Sequence, residues 1–338
     1  MSRISINLVT WNGEKYIKHC INSILQQTFK NYEVNIFDNN SNDSTIEIIE
    51  HNFPQFKIFK NKENIGFAPA HNKLFAWAKS DYILCLNQDI IMEPNFLENA
   101  FNFLDNNKNK NQIGVIAPKL FHWEFNNEDP YNADKYGKTN IIDTCGFEVF
   151  KNHKVIDIGQ LEENNNEFNQ VKEVFGTSAA CPIYSKKALE SIKINNEYFD
   201  EDFFTYKEDV DLAFRMKLAG YKCYFLPNVI AYHDRSIKKG TNTIKNRKNR
   251  SSWVNEYSYR NHIYLLIKNE FCANFIKCFF HLFIYEFKKF IYILFFETKT
   301  LAFFFKNLKL ISKIFQKRKY IFKNIVNIKS EELYNWYK

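Results

Sequence analysis

Ile4-Ser-Ile-Asn-Leu-Val9, then Ile17, Ile21, Ile24 and Leu25, then Glu33-Val-Asn-Ile-Phe37 form the succession that decides the fold. The first run is short and apolar, as a buried strand is. Between Glu14 and Gln27 the four apolar residues recur at helical spacing, which predicts a helix. Glu33 to Phe37 predicts a second strand, and Ser41-Asn-Asp-Ser-Thr45 supplies capping residues for a helix through Ile48 and Ile49. The alternation continues with a strand expected at Phe56 to Phe59, a helix at Phe67 to Lys79 and a buried-type strand at Tyr82-Ile-Leu-Cys-Leu86. Such alternation builds an α/β fold: a mostly parallel central sheet with helices on both faces.

In open sheets of this class, ligands sit beyond the carboxyl ends of strands. Three groups directly follow expected strands: Thr10-Trp-Asn12, Asp38-Asn-Asn40 and Asn87-Gln-Asp89. The Asp38 carboxylate can accept from an N–H of a nucleobase, or it can simply close an Asx-rich turn. Asp89, beside a side-chain amide, can bind Mg²⁺ or Mn²⁺, or it can cap the segment that begins near Pro94.

Downstream the pattern weakens from about Phe121 to Phe175, with short β-like pieces at Ile141 to Thr144 and Val155 to Ile158. Ala179 to Tyr184 predicts a strand and Lys186 to Ile192 a helix. Val210, Ala213, Phe214 and Leu218 share one face of a helix that starts at Glu208, with Gly220 as its stop. Glu208, Asp209 and Asp211 crowd its first turn, where the helix dipole favours acids and would hold a carboxylate ionised, as a general base requires. Phe199, Phe203, Phe204 and Tyr206 can wall off a sugar, and Arg215 lies two turns on from Glu208, placed to hold the acids. His233 follows Asn228-Val-Ile-Ala-Tyr232; it is either structural or, near a metal–diphosphate, a ligand. Arg235, Ser236, Lys238 and Lys239 can meet phosphate oxygens or form a solvated basic loop.

The chain has 338 residues, enough for one large domain with an appendage or two modest ones. Its high aromatic content accompanies abundant Asn, Lys and Ile, all with AT-rich codons, and carries little functional weight. Seven scattered cysteines without a CxxC pair speak against a disulfide framework or zinc site and for a reducing compartment. No signal peptide is expected, because Ile4 to Val9 is too short, and no apolar run reaches the ~18 residues of a spanning helix. The formal net charge of +8 is concentrated in Lys238 to Arg250 and after Lys268. A helix expected at Trp253 to Lys268 precedes three Phe-rich runs, at 279–285, 290–296 and 301–305, interrupted by lysines. These suit helices lying on a membrane surface, or a C-terminal helical pack or oligomer interface. No nucleic-acid motif accompanies the basic stretch.

Together these residues resemble the family 2 glycosyltransferases, inverting enzymes of the GT-A fold, and within them a rhamnosyltransferase-like bacterial branch. The resemblance runs from about Ser5 to Lys268. It rests on Val9-Thr-Trp-Asn12, Asp38-Asn-Asn-Ser-Asn-Asp43, Asn64-Ile-Gly-Phe67 with Asn72, Leu86-Asn-Gln-Asp89, Phe199 to Leu212, Arg215, Ala219-Gly-Tyr221, Pro227, His233 and Arg260-Asn261. Order and spacing make the combination specific.

The resemblance implies a nucleotide-sugar donor held by Thr10, Trp11, Asn12, Asp38, Asn40, Asn64, Gly66, Phe67, Asn72, Asn87 and Gln88, with Asp38 on the base and Arg235, Lys238 and Lys239 on the diphosphate. It implies Asp209 as catalytic base with Glu208 beside it. The acceptor falls to Phe204, Tyr206 and Asp211, and Mg²⁺ or Mn²⁺ to Asp89 and His233. The sequence departs from the family's DxD motif: Asn87 stands where the first Asp is frequent, and Gln88 is a bulky middle residue. Trp11 stands where Tyr or Phe is usual.

The expected division is residues 1–240 as the GT-A domain, with a nucleotide-sugar half to about 120 and an acceptor half beyond. Residues 241–338 form a basic helical region on the membrane surface. The expected activity is inverting transfer from a dTDP-rhamnose-like or UDP-sugar donor to a glycan or lipid-linked glycan. The setting is bacterial surface polysaccharide synthesis at the inner face of the plasma membrane. The competing reading is a catalytically weak nucleotide-sugar-binding or scaffold protein.

Overall fold

The computed structural model describes residues 2–125, 137–235, 247 and 251–338. The opening alternation is present as β1 (Ile4–Thr10), α1 (Ile17–Leu25), β2 (Tyr32–Asp38), α2 (Thr45–Asn52), β3 (Ile58–Lys60), α3 (Phe67–Trp77) and β4 (Tyr82–Asn87). There follow β5 (Ile90–Met92), α4 (Phe96–Asn106), β6 (Ile113–Trp123), β7 (Lys138–Thr144), β8 (Phe147–Val149), β9 (Val155–Asp157), β10 (Lys172–Val174) and β11 (Ile183–Ser185). Then come α5 (Lys186–Ile192), α6 (Glu208–Leu218) and β12 (Lys222–His233). Five C-terminal helices end the chain: α7 (Ser252–Asn269), α8 (Cys272–Phe296), α9 (Thr298–Lys306), α10 (Ile311–Asn324) and α11 (Ser330–Tyr334).

The main sheet has the order β10-β12-β6-β11-β4-β1-β2-β3. β4, β1, β2 and β3 are mutually parallel, as are β12 and β6, while β11 runs antiparallel between these two groups. Successive side chains of β4 belong to opposite cores. Leu84 and Leu86 pack with Ile21 of α1 and Phe101 of α4, whereas Ile83 and Cys85 pack with Phe75 of α3 and Leu212 of α6. A strand buried on both faces is a continuous apolar run, which is why Tyr82 to Leu86 lacks alternation.

Two expectations need correction. The strand expected over Ala179 to Tyr184 is shorter, Ile183–Ser185; Ala180 reaches the sheet only by accepting from the Asn87 N–H. The Phe-rich runs at 279–285 and 290–296 belong to one 25-residue helix, α8. Lysine is a good helix former and does not interrupt it; Lys289 turns toward Glu286, and burial pushes its ammonium down to about 7. All seven cysteines are free.

Candidate active site

The parallel strands β1, β2 and β4 end side by side: Thr10 pairs with Asp38, and Val9 with Asn87. Trp11, Asn39, Asn64, Gly66, Phe67, Asn87, Gln88, Asp89 and Phe204 line a cavity of about 550 Å³ at this edge. The Gln88 amide clamps the end of β1. Its Oε1 accepts from the Thr10 hydroxyl (2.6 Å) and the Trp11 N–H (2.9 Å), and its Nε2 donates to the Trp11 carbonyl (3.0 Å). Asp38 is buried, with its oxygens accepting from the Ser41 N–H (3.0 Å) and hydroxyl (2.5 Å). That is the Asx-turn geometry. Asn12 is turned the same way, its Oδ1 accepting from the Asn42 N–H. Asn40 adopts a left-handed backbone (φ 68°), which an Asn tolerates. Asn39 Nδ2 donates to Asn64 Oδ1 (2.9 Å), tying the β2 end to the segment before α3.

The 143 residues between Asp89 and His233 are bridged by the sheet. β5 starts directly after Asp89 and pairs antiparallel with the end of β12, His233 opposite Ile90. His233 Nε2 therefore lies 3.5 Å from Asp89 Oδ2. The other ring nitrogen, Nδ1, is 2.8 Å from Asp143 Oδ2. Asp143 arrives from β7, which flanks the same stretch of β6 that β12 flanks from its other edge. Arg235 joins in: its Nη1 donates to Asp143 (3.2 Å) and Asp157 (3.0 Å). Burial alone would lower the His233 imidazole, but Asp89 and Asp143 outweigh it and hold the ring protonated up to about 10. Arg235 lowers Asp143 to about 2 against its burial.

Asp89 offers a hard oxygen, and His233 would offer an imidazole nitrogen once a bound cation displaces the proton that Asp89 and Asp143 hold on the ring. Among the described residues no group of three or more His, Cys, Asp or Glu converges as a complete metal cage. The pair fits a divalent ion that draws its remaining ligands from water and phosphate, as Mg²⁺ ordinarily does. The carboxylate on the far side of the imidazole fits it too, since metal-bound histidines usually carry such a partner.

A second cavity, of about 620 Å³, adjoins the first and shares Phe67, Asn87 and Thr205 with it. His233 and Arg235 line one part of it, Glu208 and Asp209 another. The dipole of α6, expected to hold a carboxylate ionised, here works against the burial of Glu208 and Asp209. Burial raises both, and its effect together with the neighbouring Asp209 pushes Glu208 up to about 8. Their surroundings nevertheless separate them. Asp209 accepts from the N–H of Val210 (2.7 Å) and of Ala179 (3.4 Å), which favours its charged form. One Glu208 oxygen is buried with no hydrogen-bond partner, which favours the neutral form. These surroundings favour the charged form at Asp209 and the neutral form at Glu208.

The wall between the cavities is a strained loop. Phe204, Tyr206 and Lys207 all have positive φ, near 62–67°. Gly66 also has positive φ (91°), and a Cβ there would meet the Phe204 ring at 2.6 Å. The loop is held from α7. Asn261 Nδ2 lies within 3.0 Å of the carbonyls of Phe203, Thr205 and Tyr206, and Arg260 donates to that of Asp202. Left-handed non-glycine residues cost about 1–2 kcal/mol each and persist only when neighbours over-determine them. Asn261→Ala is therefore expected to relax the loop, lowering kcat and raising KM together about tenfold. Steady-state kinetics check this; a variant with both constants unchanged would remove Asn261 as a positioning residue.

Other candidates have different jobs from those expected. Both atoms of the Asn72 amide are spent on Phe199, whose N–H and carbonyl they hold at 2.8 Å, so Asn72 fastens α3 to the loop instead of lining the donor cavity. Asp211 is fully buried between Arg215 (3.0 Å) and Lys268 (2.7 Å), away from the cavity wall, and cannot touch an acceptor. Arg215 holds this acid, not Glu208. Arg235 faces two carboxylates before any phosphate. Lys238 and Lys239 lie outside the described residues. Asp143, Asp157 and Asn39 have places in the site that the sequence reading did not give them.

The model of glycosyl transferase family 2 matches residues 5–192. The chain belongs to that family. This glycosyltransferase is 28% identical over 248 residues to the dolichyl N-acetyl-alpha-D-glucosaminyl phosphate 3-beta-D-2,3-diacetamido-2,3-dideoxy-beta-D-glucuronosyltransferase of Methanococcus voltae, covering 71% of this chain and 69% of that protein. It is 33% identical over 305 residues to the chondroitin synthase of Pasteurella multocida, 73% of this chain but only 31% of that one. Among solved structures, GalNAc-T7 with UDP, GalNAc and Mn²⁺ superposes with a TM-score of 0.58 at 12% identity, over 79% of this chain and 48% of that one. The mannosyltransferase PcManGT from Pyrobaculum calidifontis with GDP-Man and Mn²⁺ does so with a TM-score of 0.50 at 13% identity, over 95% and 85%. The fold is therefore GT-A, with a C-terminal helical extension.

Proposed function

We propose that this glycosyltransferase transfers a sugar, with inversion, from a nucleoside-diphosphate donor to a hydroxyl of a glycan or lipid-linked glycan. The observation that carries the reading is the pair of adjoining cavities, with Asp89 and His233 bordering one side and Asp209 the other. The donor lies in the first cavity, its base near Thr10, Trp11 and Asp38 and its diphosphate toward Asp89. Asp89, Asp143 and Asp157 outnumber the cations His233 and Arg235 at that corner, so a diphosphate there needs a further counter-cation. Asp89 and His233 would hold Mg²⁺ or Mn²⁺, which supplies positive charge opposite the leaving diphosphate. Two structural neighbours solved with Mn²⁺ support this choice.

Asp209 takes the proton of the acceptor hydroxyl. Its oxygen forms a bond to the anomeric carbon as the bond to the diphosphate oxygen breaks, and a single displacement inverts configuration. Neutral Glu208 keeps a second negative charge away from the incoming oxygen. Tyr206, tilted against Trp253 (ring centroids 5.7 Å), lines the acceptor cavity, whereas Phe204, expected beside it, lines the donor cavity. A dTDP-rhamnose-like or UDP-sugar donor is the leading choice. The place of work is the inner membrane face, with residues 241–338 as the attached region and 1–240 as the catalytic one. A panel of nucleotide sugars, assayed for release of nucleoside diphosphate with and without glycan acceptors, tests the reading; no release from any donor would reject it in favour of a binding protein.

Asp143 fixes the ring of His233. Asp143→Asn is expected to raise the Mn²⁺ concentration for half-activation about 10–100-fold with maximal rate largely kept. An unchanged Mn²⁺ titration would remove that role.

A further inference from the structure

α8 is left unexplained by the transfer chemistry. Only Asn274, Cys278 and Ile293 of its 25 residues are buried. Ile276, Phe280, Phe283, Phe287, Phe290 and Leu294 are all exposed, Phe280 at 74%. Their spacing alternates between four and three residues, which aligns them in one stripe along the helix. An exposed apolar stripe of this length marks an interaction surface. Beside it, between α7 and α8, lies a shallow groove of about 400 Å³ lined by Ile263, Phe279, Leu282 and Phe283 among others.

The charge around the stripe says what covers it. From Glu270 to Lys338 there are thirteen Lys and Arg against five Asp and Glu, so this segment alone carries the whole formal net charge of +8. Lys288, Lys299, Lys306 and Lys309 are exposed near the stripe and the helix that follows. Among the described residues no helix is long and apolar enough to cross a membrane. A second copy would have to set two such cationic faces against each other. An apolar layer beneath an anionic one matches both features.

We propose that α8 docks by this stripe on the surface of an anionic phospholipid bilayer. The aromatic rings enter the acyl boundary and the lysines meet the headgroups. This deepens the membrane-face reading above and rests on it for the place of work. The geometry also sets the acceptor cavity beside the bilayer. Arg247 lines that cavity and pairs bidentately with Glu297, which immediately follows Phe295 and Phe296 (2.5 and 2.8 Å).

The test is flotation of the full chain with vesicles of phosphatidylcholine alone or mixed with phosphatidylglycerol, at low and high salt. Binding to the mixed vesicles is expected, at least about tenfold weaker without the anionic lipid and weakened by salt. Phe280→Ser, Phe283→Ser and Phe287→Ser combined should weaken it at least about tenfold. Lys288→Gln, Lys306→Gln and Lys309→Gln combined should remove most of the salt dependence. Melting curves confirm that both variants fold. Equal binding to both vesicle types, or none by the parent chain, would overturn the proposal. So would a dimer in sedimentation that the Phe variant dissolves, since the stripe would then belong to a second copy. Vesicle binding is read without donor or acceptor, so a chain that binds as expected but releases no nucleotide from any donor would sink the transfer reading and leave this one standing.

Discussion

Asp209→Asn is expected to lower kcat about 10²–10⁴-fold while leaving donor affinity within about twofold. The asparagine matches the carboxylate in size and its one oxygen can still accept from the Val210 N–H (2.7 Å), giving up only the longer contact from Ala179 (3.4 Å), so the first turn of α6 is expected to stay in place. What it loses is the capacity to take a proton. Glu208→Gln should behave differently. Glu208 is neutral at pH 7 because burial and Asp209 push it up to about 8, so an uncharged amide reproduces its working state. Most of the turnover is expected to survive.

The pH dependence follows from the same assignment. Rate rises with pH as Asp209 loses its proton, and burial moves that limb above the ordinary carboxylate range. In Glu208→Gln the limb persists. Pre-steady-state transfer and isothermal titration with donor separate the two effects. A Glu208→Gln variant that is inactive beside an active Asp209→Asn would exchange the roles of the two acids.

The half of the sheet that carries the donor cavity is legible in the sequence because each strand end there is local. Thr10, Asp38 and Asn87 directly follow apolar runs, and parallel pairing alone brings them together. β6 escapes such a reading. All eleven of its residues are buried, so it shows no alternation, and it contains Pro118 and Lys119. Proline argues against a central strand. Here Pro118 stands opposite Leu226, where the ladder to β12 shifts register, and Lys119 is satisfied by the side chains of Asn164 and Asn169.

Without β6, nothing places Asp143 beside His233, 90 residues away. The acidic crowd at the start of α6 is visible in the sequence, but its sorting is not. Glu208, Asp209 and Asp211 are spaced as any helix N-terminus spaces them. Only burial reveals that Asp211 faces a lysine 57 residues on while Asp209 faces the cavity.

That lysine supports the second large effect. Lys268→Met is expected to cost about 3–5 kcal/mol of stability. Lys268 is fully buried between Asp200 and Asp211, and neither acid has water to fall back on. Asp200 keeps Lys317 (2.5 Å), and Asp211 keeps Arg215 and Asn269 (2.7 Å), so each acid retains one cation but loses the shared lysine that sits between the two carboxylates.

The linkage has a definite sign. Burial would raise Asp200, but Lys268 and Lys317 overcome it and hold the carboxyl well below its usual range. A depressed folded pKa stabilises above the unfolded value of about 3.9 and is lost as pH falls toward the folded one. The variant should therefore unfold at lower denaturant at pH 7, and the gap to the parent chain should shrink in acid. Adding Asp200→Asn to Lys268→Met should recover part of the loss by removing a buried carboxylate that has lost one of its two lysines, while Lys317 keeps Glu197 and Asp202.

Activity is affected by the same cluster. Asp200 begins the turn that leads through Phe204 and Tyr206 to Glu208, and α7 holds that turn through Lys268 as well as Asn261. Urea unfolding at several pH values, followed by circular dichroism, decides the matter. A Lys268→Met chain within about 1 kcal/mol of its parent at pH 7 would mean the two acids do not depend on that lysine.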